Sequence, residues 1–187
     1  MENVVNKKNG VNVDQLMGTI GAVKNDPEIA DFKFRSQTEW LGGARCRTTF
    51  KPFYGAKEED VSRTTPLVME GDEPPVLLGE NQGANPVEAV LHALGSCLSV
   101  GFVYNAAAQD IEVEELTFNI EGDLDLHGFL GLSEKTRPGY KNIRVSYNVK
   151  ADAPKEQLEE LFTYVKKTSP VLNILRNPVQ VDFEARA

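Results

Sequence analysis

The sequence predicts an α+β fold: a mostly antiparallel sheet around one long buried helix. Three observations carry this. The expected element order, β-β-β-α-β-β-α-α-β, lacks the βαβ alternation of a parallel sheet. A nearly uninterrupted apolar stretch over residues 89–108 follows a strong helix start at Asn85. Residues 154–167 repeat apolar side chains at the helical period, with Leu158, Leu161, Phe162 and Val165 at i, i+3, i+4 and i+7. The 187 residues suit one domain. A composition of 41% hydrophobic and 26% charged residues argues against disorder.

Residues 13–23 predict a short helix, broken at Asp26-Pro27. Residues 33–41 read as a strand, Gly42-Gly43 as a turn, and the β-branched and aromatic residues 45–53 as its hairpin partner. A charged loop over 55–63 leads to a third strand at 64–69. Residues 70–83 form a loop punctuated by Pro74, Pro75, Gly79 and Gly83. Asn85 as N-cap, Pro86 at N1 and Glu88 at N3 open the long helix. It runs to about Ala108, about 36 Å at ~1.5 Å per residue. Gly95 and Gly101 inside it cost helix propensity and imply close packing or a kink. Strands follow at 113–122 and 142–150. Their connection, 123–140, is long for a hairpin and carries the apolar run Gly128-Phe129-Leu130-Gly131-Leu132, a combination typical of functional loops. In the helix over 154–167, Glu156, Glu159 and Glu160 come early and Lys166 and Lys167 late, matching the helix dipole. Ser169-Pro170 starts another short helix, and residues 178–185 read as a last strand.

Twenty Lys and Arg against 28 Asp and Glu leave a formal net charge of −8. That argues against nonspecific binding to nucleic acid or anionic membranes, which needs basic side chains to displace the polyanion's counterions. No apolar run follows Lys7-Lys8, so no signal peptide is expected. Residues 89–108 are long enough to span a bilayer. His92, Ser96, Cys97, Ser99 and Asn105 interrupt them, and a core helix of a cytoplasmic protein is the expected reading. The two cysteines, Cys46 and Cys97, are too few for a disulfide framework.

The chain has no phosphate loop, no GxGxxG, no CxxC and no GxSxG. Its two histidines, His92 and His127, lie far apart, so no metal and no cofactor are expected. A thiol remains. Cys97 sits midway along the apolar helix, where a cysteine is first of all a small hydrophobe. Reactivity requires a neighbouring cation, and no Lys or Arg lies within one helical turn. Arg45 and Arg47, after the glycine turn, are the candidates; exposed hairpin arginines are the other reading of both.

The run Asn85-Pro86-Val87-Glu88-Ala89 through Gly95-Ser96-Cys97 resembles the NPxE…C helix of the OsmC/Ohr family, the osmotically inducible and organic hydroperoxide resistance proteins. Asp72-Glu73-Pro74-Pro75 before it, and Thr168-Ser169-Pro170-Val171 and Pro178-Val179 after it, fit in order. The resemblance runs from about Phe34 to the C-terminus. It implies an OsmC-like domain over 32–187, preceded by an N-terminal extension over 1–31 with a short helix. It further implies an intertwined homodimer with a thiol peroxidase site near the subunit interface. In active members a peroxidatic thiolate attacks the O–O bond, and a second cysteine condenses with the resulting sulfenic acid. An arginine and a glutamate activate the first thiol.

Cys97 matches the peroxidatic position, and Arg45 matches the arginine after the Gly-Gly turn, with Arg47 a two-residue slip. The family's glutamate falls on Val87, and Glu88 is its neighbour, about 100° round the helix; capping the helix is an alternative role for it. Ser169 occupies the position of the missing resolving cysteine, where it also suits an N-cap. Cys46 is the other thiol available to resolve a sulfenic acid. Phe129 and Leu130 are candidate substrate-binding residues alongside Arg47.

Three functions follow. The first is a one-cysteine hydroperoxide reductase recycled by an external thiol. The second is a protein of the same fold that binds or modifies a small apolar or thiol-bearing molecule without peroxidase activity. The third is a structural or regulatory dimer with an inert core thiol.

Overall fold

A computed structural model describes residues 6–185. In chain order these form β1 (Lys7–Lys8), β2 (Val11–Asn12), α1 (Val13–Asn25), β3 (Ser36–Gly42), β4 (Arg45–Phe50), β5 (Phe53–Gly55), β6 (Glu58–Asp60) and β7 (Leu67–Gly71). Then come α2 (Pro86–Ala108), β8 (Val113–Leu124), α3 (Leu126–Phe129), β9 (Tyr140–Ala151), α4 (Lys155–Thr168) and α5 (Pro170–Arg176). The described residues divide into two compact bodies: residues 14–90, and residues 91–185 together with 6–13.

The 14–90 body holds the antiparallel sheet β3-β4-β7. Gly42 and Gly43 make the β3–β4 turn at φ of 113° and 57°, values that a side chain disfavours. The loop expected over 55–63 instead contains the β5–β6 hairpin. Its turn places Ala56 and Lys57 at φ of 51° and 68°, which neither residue type announces. Asp72 organises the proline-rich loop after β7. Its carboxylate is buried and accepts backbone N–H bonds from Glu73, Glu80 and Gln82 at 2.8, 3.0 and 3.0 Å. Those bonds, led by the one from Gln82 and aided by the charge of Arg45, lower the Asp72 pKa below its usual value.

In the other body, β8 and β9 pair antiparallel as one long ribbon. The core joins Leu94, Leu98, Phe102 and Ala106 of α2, Ile111, and Leu161, Phe162 and Val165 of α4. Phe118, Ile120, Tyr147 and Val149 of the ribbon pack against it, with the Tyr147 and Phe162 ring centroids 4.0 Å apart. The β1–β2 hairpin belongs here. Its turn uses Asn9 and Gly10 at φ of 53° and 78°, and the Asn9 side chain bonds Ile111 O and Val113 N, each at 2.9 Å.

Two expectations change. The long helix is buried along one stripe, not all round: His92, Ser96, Val100 and Tyr104 recur every fourth residue on an exposed face. The ribbon and α4 cover only one side of it. Residues 178–185 form no strand. Their apolar side chains alternate, but alternation alone does not make a strand, and Phe183 is 95% exposed.

Candidate functional site

Cys97 lies one residue before the buried Leu98, about 100° from the core stripe of α2, and is therefore half-buried. Two glycines let α2 approach its neighbours. A Cβ at Gly95 would stand 3.2 Å from Ile120 Cδ1, and one at Gly101 would stand 3.2 Å from Val165 Cγ1. Close packing, rather than a kink, is thus the use of both glycines.

The α4–α5 junction brings Ser169 to the thiol. Cys97 Sγ and Ser169 Oγ are 3.1 Å apart. Ser169 closes α4, its N–H donating to Val165 O, and caps α5, its Oγ accepting from Leu172 N at 3.2 Å. Only 5% of it is exposed. The local pattern marks Ser169 as a cap, and the resemblance that puts it at the resolving position is the signal that points it toward Cys97.

The other candidates fall elsewhere. Glu88 closes a capping box: its carboxylate accepts from Asn85 N at 2.9 Å, and Asn85 Oδ1 accepts from Glu88 N at 2.9 Å. Arg47, exposed on β4, donates through Nε to Glu70 across the sheet at 2.6 Å. Arg45 opens β4, and its charge acts on Asp72. Both arginines belong to the 14–90 body, whereas Cys97 belongs to the other. Cys46 is a free thiol on β4, in register with Gly71.

Phe129 ends the single-turn α3 and is 68% exposed; Leu130 and Leu132 beside it are exposed too. Asp125 fixes this turn. It caps α3 at the His127 N–H, pairs with Lys141 at 2.8 Å and meets His127 Nδ1 at 2.7 Å. These partners, Lys141 first, hold its carboxyl well below the usual carboxylate range.

A thiol on a helix beside a buried hydroxyl can act as a nucleophile or a redox centre, since Cys97 is a free cysteine. A search of characterised protein sequences returns no match. Solved structures share the fold. An OsmC-like protein from Mycoplasma pneumoniae superposes with a TM-score of 0.58 at 17% identity, over 78% of this chain and 89% of that one. An OsmC-like protein of unknown function from Vibrio cholerae gives 0.58 at 16% identity, over 75% and 92%. An organic hydroperoxide resistance protein OsmC from Legionella pneumophila gives 0.53 at 15% identity, over 77% and 89%. The sequence profile of the OsmC-like proteins matches residues 79–184, which hold α2, the ribbon, both C-terminal helices, Cys97 and Ser169. With that profile covering more than half of its length, the chain belongs to the OsmC-like protein family.

Proposed function

We propose that the protein is a one-cysteine hydroperoxide reductase serving oxidative-stress defence in the cytoplasm, with Cys97 as its nucleophile. The observation that carries this reading is the half-exposed thiol of Cys97 with a hydroxyl, not a second sulfur, 3.1 Å away. The Cys97 thiolate attacks the O–O bond of an organic hydroperoxide. An S–O bond forms as O–O breaks, the sulfur is oxidised, and the alkoxide leaves as an alcohol after taking a proton from water. Ser169 cannot condense with the resulting sulfenic acid. A small external thiol therefore attacks it, forming a mixed disulfide and releasing water. A second thiol displaces Cys97 and departs as the disulfide of the two external thiols.

Arg45 is the guanidinium proposed to favour the thiolate, and Phe129 and Leu130 the apolar surface proposed for the organic group. Glu88 serves α2 as its cap, so no acid–base role is assigned to it. The functional unit proposed is a homodimer.

Cumene hydroperoxide at stoichiometric amounts, followed by a sulfenic-acid trap and peptide mass analysis, tests the chemistry. Modification of Cys97, lost in Cys97→Ser, is expected. A native Cys97 that stays reduced while the denatured chain reacts would end the peroxidase reading. The exposed Phe129, Leu130 and Leu132 favour a second reading, a binder of small apolar molecules; a co-purified ligand together with an unreactive Cys97 would select it.

A further inference from the structure

We infer that Ser169 is a positioning residue whose hydroxyl donates a hydrogen bond to the Cys97 sulfur and so favours the thiolate. The inference rests on the proposed role of Cys97 as a nucleophile for its purpose, but not for its test. A serine hydroxyl has one proton and two lone pairs. One lone pair of Ser169 Oγ is used: Leu172 N–H donates to it at 3.2 Å. The backbone of Ser169 is satisfied as well, through Val165 O and Asn173 N at 2.9 and 3.0 Å. What remains is the hydroxyl proton, on a side chain that is only 5% exposed. A buried donor without an acceptor is costly. The Cys97 sulfur at 3.1 Å is the acceptor the structure supplies.

The opposite polarity, with the thiol donating to Oγ, leaves the hydroxyl proton stranded. It also fails once Cys97 ionises, because a thiolate can only accept. Donation from Ser169 becomes charge-assisted at that moment, so the bond is stronger to the thiolate than to the thiol. The fold holds the pair rigidly: one end is midway along α2, and the other is fixed by the α4–α5 junction. The cap bond and the bond to sulfur use opposite polarities of one hydroxyl, so they do not compete.

The test is the pH profile of alkylation at Cys97 by iodoacetamide, read by peptide mass in the full-length protein. Ser169→Ala and Ser169→Gly both remove the donor, but they differ as N-caps, since glycine caps nearly as well as serine and alanine does not. Ser169→Thr keeps the hydroxyl. The profiles of the Ala and Gly variants are expected to move together to higher pH, with reaction at neutral pH several-fold slower than in the wild type. Their melting temperatures should differ, Ala lower than Gly, and Ser169→Thr should stay near the wild-type profile. Superimposed Ala and wild-type profiles would overturn the assignment. So would a shift that follows melting temperature, present in Ala and absent in Gly. No peroxide is used, so a Cys97 that ignores hydroperoxides yet depends on Ser169 in this assay retires the peroxidase reading and keeps this one.

Discussion

Asn85 and Glu88 exchange side-chain and backbone bonds at the start of α2, and the sequence states this plainly: a cap residue, a proline and a carboxylate at fixed offsets. Asn85→Ala removes one of those bonds and should lower stability by about 1 kcal/mol, measured by urea unfolding. Asp72 is the opposite case. The run Asp72-Glu73-Pro74-Pro75 stands out in the sequence, but what the carboxylate binds does not, because its three N–H donors come from residues up to ten positions later. Asp72→Asn keeps the shape but loses charge-assisted acceptance, so melting should drop by several degrees. The folded-state pKa of Asp72 lies below its unfolded value near 3.8. Its contribution is therefore complete above that value and is lost as pH falls through the lowered folded one. The stability gap between wild type and Asp72→Asn should accordingly be full and constant above about pH 4 and should close as pH falls from there through the lowered value, as thermal melts across that range would show. The Cys97–Ser169 approach has no local signal, since 72 residues separate the two; only the resemblance, which puts Ser169 at the resolving position, points to it.

At the scale of elements, legibility follows the reach of the forces. α4 was readable because its apolar stripe and its end charges are local, and Leu161, Phe162 and Val165 are indeed the buried face. Leu161→Ala should cost about 2–5 kcal/mol by the same unfolding assay. The β5–β6 hairpin was not readable, since Ala56-Lys57 is not turn chemistry. Residues 178–185 misled for a different reason: alternation reports a face that needs covering, not the presence of a neighbouring strand. The two helix glycines were readable as contacts but not in rank. At Gly95 an added methyl meets the movable end of Ile120, whereas at Gly101 it meets the β-branched and fully buried Val165. The gain in propensity of about 1 kcal/mol therefore offsets the crowding in Gly95→Ala. In Gly101→Ala overpacking wins, by about 1 kcal/mol or more. Paired unfolding curves should show the first near wild type and the second clearly destabilised.

For the whole molecule, the decisive quantity is the apolar surface a single chain leaves in water. One stripe of α2 fills the core, and the opposite stripe presents Val100 and Tyr104. Val179, Val181 and Phe183 add an alternating row of exposed side chains outside any strand. β3 and β7 place Trp40, Leu67 and Val68 in solvent as well. Each body thus leaves large apolar side chains in water, and a two-fold homodimer is the commonest way to cover such faces. The proposed homodimer would cover the α2 stripe together with the exposed Val179, Val181 and Phe183. Sedimentation equilibrium should then return twice the 20.7 kDa chain mass at micromolar concentration. Val100→Glu places a charge in the centre of the proposed contact and leaves the single-chain core untouched, because Val100 points away from Leu98 and Phe102. That variant should sediment as a folded monomer with native helical circular dichroism. A wild-type chain that remains at 20.7 kDa across the concentration range would show that these apolar faces are not joined to a second copy.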